Sequence, residues 1–587
     1  MLTIRIDADD ERISFVIGRH LRPAEIWSVG YRQIFKIGGM SDLTAASRLN
    51  TGAEPWIARL QTYPQHGILA VGGGPMLLSL VSALIECGFT GFHLCIADRV
   101  PTDRQRLAAL LSQARRDRGG KEEQTVFRKE EAGDWRDVVR AYQTILYVSQ
   151  DGDPGELLQL GQICREERKA LLPAVCLHQA GMAGPFAPPG SEGGWASAWR
   201  RLHRAAIDKD PERHAFSSAA GALLANVVVS GLLKLVAGAD ESEQGQSVYL
   251  LDLETLEGSW HSYFPHPFAN GRQAMSAESV ENLEQRLGNS PDQRTTDGLF
   301  SCFSRWTSAH TGIFHTWEEG DLRQLPLAQC RVRAVDPLSE GPAQLLPDIV
   351  CAGLTHEEAR REAGLAGLEA YVSRLTGGFA GSGEFVGVGA GETAAEGLHR
   401  GLQACLREAL GRQPLDRLPP VVRVRLGKVD DARCRYYLRS LTLMQGEPAI
   451  GLGEASAGFP VFWVGAGGSW YAGVGLNRTL ALRSALQAAL MKAQNPSDFR
   501  PLNAPASPSL PAAQEDGIRV DIAEFDETSR AEVVSEALQM LRRNGWQLTV
   551  VNLAVEPFMS EALEAVYGVS LLEEGTSKAA AGEAGSC

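Results

Sequence analysis

The 587-residue sequence has no Cys-x-x-Cys pair, no His-Glu-x-x-His helix, no excess of basic charge and no uninterrupted apolar run long enough for a membrane span. Each absence excludes something. Its ten cysteines lie far apart, at 87, 95, 164, 176, 302, 330, 351, 405, 434 and 587, so a zinc ribbon or a dithiol redox motif is unsupported. Reduced thiols in a cytoplasmic protein are the expectation instead. His261 and His266 flank a turn at Pro265 and Pro267, and no metal site is expected. A net charge of -14 argues against a nucleic-acid-binding surface spread over the molecule. The N-terminus, Met1 to Asp7 followed by Asp9, Asp10 and Glu11, lacks the basic start and apolar block of a signal peptide. The most apolar stretch, 221–238, is interrupted by Asn226, Ser230 and Lys234. That predicts a buried helix and no membrane span.

What is present is ordinary globular composition, 44% hydrophobic and 22% charged, on a chain long enough for several domains. Thr3–Ile6 and Ile13–Ile17 read as short strands. From His66 the pattern sharpens. Ile68–Val71 reads as a buried strand, Gly72-Gly73-Gly74-Pro75 as a tight turn, Met76–Cys87 as an apolar helix and Phe92–Ala97 as a second strand. Such a succession is a βαβ unit with a right-handed crossover. Strands at Thr144–Val148, Ala170–Cys176 and Val248–Leu253 and a helix at Ser217–Val236 continue it.

The second half runs three times from an apolar or glycine-rich start into an Ala/Leu-rich helix, at Cys351–Leu375, Phe385–Leu410 and Tyr471–Gln494. The last two share Gly-Val-Gly at 387–389 and 473–475, which sets Thr393 against Thr479. Five prolines make 494–514 an extended loop. A strand at Gly517–Ile522, a helix at Ser529–Arg543 and a strand at Trp546–Val551 follow.

A glycine turn at the start of a βαβ helix aims backbone N–H groups and the helix dipole at an anion. Residues 68–98 and the Arg104-Gln105 pair resemble the E1-like (ThiF/MoeB) superfamily of nucleotide-binding Rossmann-type domains, over roughly 65–270. The resemblance makes Gly72, Gly73, Gly74, Asp98 and Arg104 the candidate nucleotide-binding residues. It also shows departures: Leu77 stands where a third glycine is expected, Pro75 removes a backbone donor, and Asp103 is the nearest substitute for an asparagine. Neither the family's catalytic lysine nor its zinc cysteines have a counterpart. Asp151 and Asp153 could stand for its metal-binding aspartate.

The second half resembles the YcaO family, which activates peptide amides with ATP to form azoline rings. That family presents helix carboxylates to magnesium, which requires oxygen ligands. Residues Ala359–Tyr371 follow its first helix motif, but with Ala366 in a glutamate position and Glu369-Ala370 where Glu-Arg is expected. Gly387–Gly391 with Gly401-Leu402 follow the second, its glutamates falling on Ala404 and Arg407. Gly473–Gly475 with Ala481–Ala489 follow the third, with Ala488 at the glutamate.

Nearer still, 50–56, 104–107, 145–153 and 192–201 resemble the thiazole-containing bacteriocin maturation proteins. The implied fold is α/β, an E1-like Rossmann-type domain followed by an α+β YcaO-like domain. The expected division is an N-terminal segment, 1–62 (a shortened leader-binding region), an E1-like domain at 63–270 and a linker at 271–330. A YcaO-like domain at 331–575 and a tail at 576–587 complete it. The resemblance implies an accessory protein that binds a precursor peptide leader and presents it to a separate YcaO cyclodehydratase. It implies no catalytic residues of its own, no required cofactor although ATP and magnesium remain open, and an optional homodimer. Two alternatives stand beside this: an ATP-dependent adenylating or ring-forming enzyme with a diverged site, and a structural module with no peptide role.

Overall fold

The computed structural model describes residues 63–573 except 65–66, 90, 98–99, 118–124, 129–133, 189–193, 209–215, 239–245, 270–277, 289–295, 377–384, 413–420, 496–505 and 508–516. Before residue 63 it describes four strands. β1 (Leu2–Ile6) pairs antiparallel with β2 (Ile13–Ile17), and β3 (Glu25–Trp27) with β4 (Ile34–Lys36). The rest of 1–62, most of the expected loop 494–514 and the tail 576–587 lie outside the described residues. The chain divides into two units, one of residues 1–271 with Ser339–Gln344 and one of 272–338 with 345–587.

The first unit is built on an eight-stranded sheet. In chain order its elements are β5 (Ile68–Gly72), α1 (Gly74–Glu86), β6 (His93–Ile96), α2 (Arg104–Asp117), β7 (Val126–Arg128), α3 (Trp135–Arg140), β8 (Thr144–Ser149), α4 (Pro154–Glu166), β9 (Ala170–Leu177) and β10 (Ala180–Ala183). Helices α5 (Gly194–Arg201), α6 (Arg204–Ile207) and α7 (Ser218–Ala237) precede β11 (Ser247–Asp252) and β12 (Gly258–Ser262). The strand order is β12-β11-β10-β9-β8-β5-β6-β7. Strands β9, β8, β5, β6 and β7 are parallel, and β10 to β12 turn back antiparallel.

Parallel strands covered on both faces must be apolar throughout, and β5 is wholly buried. Its alternate side chains serve two cores. Ile68 and Ala70 join Leu80, Leu84, Leu224 and Val228 from α1 and α7. Leu69 and Val71 join Val139, Leu160 and Ala198 from α3, α4 and α5. Among the described residues α7 alone is long and apolar enough to cross a membrane, and most of it is buried inside this unit. Ser217 caps its first turn by accepting from the Ala220 N–H, and Gly238 ends it at φ +65°, a left-handed conformation glycine adopts without strain.

The second unit carries three smaller sheets. Residues 271–330, expected as a linker, contain β13 (Glu278–Ser279), α8 (Leu283–Gly288), α9 (Thr296–Trp306) and β14 (Phe314–Glu318), and contribute the start of β15 (Ala328–Ala334). Leu299, Phe303 and Trp306 of α9 are buried. Downstream come β16 (Ile349–Gly353), α10 (His356–Leu375), β17 (Gly387–Gly391), α11 (Ala394–Gly411), β18 (Val422–Val429), α12 (Ala432–Gln445), β19 (Ala449–Leu452), β20 (Val461–Ala466), β21 (Ser469–Val474) and α13 (Arg478–Gln494). The chain continues through β22 (Ala506–Ser507), β23 (Ile518–Ile522), α14 (Arg530–Arg543), β24 (Trp546–Asn552), α15 (Pro557–Ala562) and β25 (Ala565–Glu573). The mixed α/β class read from the sequence therefore holds.

Three strand–helix units, β16–α10, β17–α11 and β21–α13, share one geometry. A Cβ placed on Gly353, Gly391 or Gly475 would collide with the backbone N–H of Ala359, Gly397 or Ala481, six residues on in each case. Thr355, Thr393 and Asn477, two residues after those glycines, cap the three helices. This register corrects the sequence alignment. Gly389 and Gly391, not Gly387 and Gly389, match Gly473 and Gly475, so Thr393 pairs with Asn477 rather than Thr479. A slip of two residues preserves strand alternation and is invisible to a pattern. It is visible once the helix contacts are known, because Gly389 and Gly473 abut backbone atoms eight and twelve residues ahead in both units.

Gly389→Ala therefore forces a methyl into the Gly397 carbonyl and is expected to cost about 1–3 kcal/mol. Gly411→Ala, at an end of α11 with nothing within 4 Å, is expected to be neutral or to stabilise by up to about 1 kcal/mol. Urea unfolding followed by circular dichroism distinguishes the two; equal effects would contradict the packing.

Candidate functional site

The first candidate is the glycine turn at the C-terminal edge of the parallel sheet, beside β8, where the strand order changes direction. Ligands of such sheets bind at that crevice. Here the turn is filled by its own chain. Gly74, at φ +61°, donates its N–H to Thr102 Oγ1 at 2.9 Å. A Cβ at Gly74 would lie 2.7 Å from Val100 Cγ1, so that side chain covers the turn. Gly73 abuts the Ala97 carbonyl and Gly72 the Val148 carbonyl. Gly72 and Gly73 are required by backbone packing, and Gly74 by its left-handed φ and the Val100 side chain, whatever else they do.

Arg104 begins α2 and is exposed, two residues beyond Thr102. Asp98 lies outside the described residues. Asp153, one of the two candidates for a metal-binding aspartate, caps α4 instead: its Oδ1 accepts from Gly155 N at 2.8 Å and Glu156 N at 3.2 Å. Asp151 is exposed. Among the described residues no group of three His, Cys, Asp or Glu side chains is placed to hold a metal ion.

The second candidate is the face between α10 and α11. The repeat register places Ala366, Ala404 and Ala488 at one equivalent position, where the sequence resemblance expected carboxylates. It also sets Glu362 against Arg400 and Glu369 against Arg407, each pair 38 residues apart. On each helix these residues are seven apart, two turns, and so share a face.

Across the interface the charges interlock. Arg400 donates to both Glu369 oxygens, at 2.5 and 3.1 Å, and to Glu362 Oε2 at 2.6 Å. Arg361 donates to Glu392 Oε2 at 2.8 Å and to both oxygens of Glu396, at 2.8 and 2.7 Å. Arg530, opening α14, adds a contact to Glu396 Oε1 at 3.1 Å. Arg407 makes no hydrogen bond or ion pair among the described residues, although Glu369 and Glu362 are near enough to act on it.

Electrostatics follow from that arrangement. Burial opposes ionisation of Glu396 most strongly, yet Arg361, then Arg530 and Arg400, hold its carboxyl down to about 2. Burial likewise opposes Glu362, and Arg400 outweighs it. His399 is pushed down to about 3, by burial first and then by Arg530, Arg400 and Arg407. It is therefore a neutral imidazole at physiological pH. Burial and the neighbouring Arg400 lower Arg407.

Polar side chains also tie each of the three helices to the end of another unit's strand. Glu369 Oε1 of α10 accepts from Ala390 N of β17 at 3.0 Å. Gln403 of α11 donates to the Val474 carbonyl of β21, and Gln487 of α13 donates to the Ala352 carbonyl of β16 at 2.9 Å. Ala352, Ala390 and Val474 are equivalent in the repeat, so the three units close a ring.

Sequence reading singled out Glu369 and Arg407 here and missed Arg361, Glu362, Glu392, Glu396, His399, Arg400 and Arg530. One signal was available. Thr355-x-x-Glu358 and Thr393-x-x-Glu396 are capping-box sequences; here Glu396 Oε2 accepts from the N–H of Glu392, one residue before the cap, at 3.1 Å.

No protein-family model and no curated protein matches the sequence. Solved structures do. One described as a heterocyclase in complex with substrate and cofactor aligns with a TM-score of 0.52 at 12% identity, over 88% of this chain and 82% of its own. The heterocyclase TruD aligns at 0.48 and 13% identity, over 90% and 85%. MccB of E. coli aligns at 0.32 and 10% identity, over 41% and 74%. The first likeness shows a shared fold.

Arg400→Leu should strand Glu362 and Glu369 and cost about 2–4 kcal/mol, the penalty of a broken buried pair reduced for partial exposure. Adding Glu362→Gln and Glu369→Gln should recover part of that loss in urea titrations. His399 has a folded pKa of about 3 against an ordinary 6.5, so protonation favours the unfolded chain. Its contribution is complete above pH 6.5 and falls as pH drops toward 3. Glu396 contributes fully above 4.5 and loses its share only as pH falls toward 2. Denaturation midpoints across this range should show His399→Gln removing the higher-pH part of the decline; an unchanged profile would contradict a buried neutral imidazole.

Proposed function

We propose that this chain is a non-catalytic accessory protein in the maturation of a thiazole- or oxazole-containing ribosomal peptide, binding the precursor and presenting it to a separate YcaO cyclodehydratase. One observation carries the reading. Glu369, the one carboxylate standing where the YcaO resemblance calls for one, is hydrogen-bonded to the Arg400 guanidinium, and the nearby Glu362, Glu392 and Glu396 are bonded to Arg400 and Arg361. A carboxylate already chelating an arginine is a poor ligand for a hard cation, and Arg407 on the same face repels one. The residues present do not fit a magnesium-bound nucleotide.

The glycine turn supports the same conclusion. Its Gly74 N–H is spent on Thr102, Pro75 has none to offer, and Val100 covers the approach. On this reading both units keep an inherited architecture while their nucleotide chemistry has lapsed. The shared fold with a heterocyclase is what a partner descended from such enzymes would retain. Precursor binding fits a cytoplasmic site of action, alongside peptide synthesis.

Isothermal titration with ATP and magnesium is expected to show no binding to the full chain at about 1 mM nucleotide, weaker than about −4 kcal/mol. In a reconstituted mixture, ring formation by a separate YcaO enzyme should require this chain and survive its Glu369→Gln and Arg104→Ala substitutions. Magnesium-dependent ATP binding lost in Glu369→Gln would overturn the reading in favour of an enzyme. Failure to bind both precursor and cyclodehydratase would overturn the peptide role.

A further inference from the structure

Arg361, Arg400 and Arg530 on the charged face of α10, α11 and α14 are each bonded to a carboxylate. Arg407 on the same face is not: it makes no hydrogen bond or ion pair among the described residues, although a guanidinium carries five donors. It keeps some exposure, and its nitrogens are not among those sealed from solvent without a partner. Glu362 and Glu369 stand near it, but their oxygens are spent on Arg400 and on the Ala390 N–H. Burial and Arg400 lower Arg407, outweighing the pull of those two acids.

The repeat shows what this face lacks. The register that matches Gly353, Gly391 and Gly475 also matches Arg361, His399 and Arg483, each eight residues beyond its glycine. Arg361 is bonded to Glu392 and Glu396, and Arg483 to Asp431. His399, the third of the set, makes no hydrogen bond or ion pair among the described residues. It too keeps some exposure, and Arg530, Arg400 and Arg407 all lie near enough to act on it. The reason is in the neighbouring segment. Through Gln403 and the Val474 carbonyl, α11 meets the β21–α13 pair, where the residues matching Glu392 and Glu396 are Leu476 and Leu480. The chain thus supplies acids to Arg361 and none to His399.

We propose that the face of α11 between His399 and Arg407 binds a carboxylate group supplied from outside the chain. Arg407 donates its paired N–H groups to the two oxygens, and the neutral His399 ring donates its single N–H. The bound group takes the part that Glu396 and Asp431 play for Arg361 and Arg483. A monoanion suits the site, because one guanidinium is open there and a phosphate brings up to two charges. A free small acid and an acidic residue of a peptide both present this group. The proposal rests on the reading that no magnesium-bound nucleotide occupies this face, and ATP is titrated separately so that each can fail alone.

Line broadening of carbon-13-labelled acetate in the presence of the full chain tests the proposal, together with calorimetry on a doubly capped Gly-Glu-Gly peptide. Acetate or the peptide should bind, the tighter of the two identifying the source, and acetamide should bind at least about tenfold more weakly. Arg407→Gln should weaken binding about tenfold and His399→Leu about threefold or more. Arg407→Lys keeps the charge without the fork and should fall between wild type and Arg407→Gln. Because Arg407 bonds nothing, Arg407→Gln should leave the urea midpoint of the ligand-free chain unchanged or raised, which separates lost binding from lost folding. No binding of acetate or peptide at about 10 mM, beyond the weak end of specific recognition, would overturn the proposal. Unchanged affinity in either Arg407→Gln or His399→Leu would do the same, as would inorganic phosphate binding more tightly than both carboxylates. A fall in the ligand-free midpoint of Arg407→Gln as large as that of Arg400→Leu would make Arg407 a structural residue and overturn it as well.

Discussion

The structure depends on backbone approaching backbone where a strand ends and a helix begins. In the second unit the contact recurs three times, Gly353 on Ala359, Gly391 on Gly397 and Gly475 on Ala481, with no room for a side chain at the glycine. In the first unit Gly72 and Gly73 meet the carbonyls of Val148 and Ala97 in the same manner. Packing this close leaves little tolerance. It sets the positions of α10, α11 and α13, and so the distances between the α10 and α11 side chains of the Arg–Glu lattice.

That lattice is a consequence of the repeat. Because Glu362 and Arg400 occupy equivalent positions in adjacent units, as do Glu369 and Arg407, one helix presents acids where its neighbour presents bases. Arg400 reaches both acids of α10, whereas Arg407 reaches no partner among the described residues. Ion pairs of this kind add little net stability when desolvation is counted. Their effect is on specificity: removing one member leaves the others buried and uncompensated. Ala366, Ala404 and Ala488 at a common position leave the ring without carboxylates one turn away.

Much of the framework was legible in the sequence. The strand at 68–72, its helix, the strands at 144–149 and 170–177 and the helix at 218–237 all stand within a residue or two of expectation, because continuous apolar runs and a 3.6-residue period report local structure directly. The three glycine-led helices of the second half were legible for the same reason. Helix α9 was not, since Phe303 and Trp306 are buried by elements remote in sequence. Strand β18 and helix α12 were also passed over. β18 alternates only weakly, and α12 buries just Cys434, Tyr437, Ser440 and Leu441 along its length.

The sequence by itself determined the local elements, the glycine positions and the alanines at 366, 404 and 488, since these depend only on residue type and spacing. Tertiary structure alone decided what those residues face. Spacing cannot say that Thr102 and Val100 close the glycine turn, that Asn477 rather than Thr479 matches Thr393, or that Arg400 lies between two glutamates of another helix. Those are relations between segments tens of residues apart, and only the fold brings them within hydrogen-bonding distance.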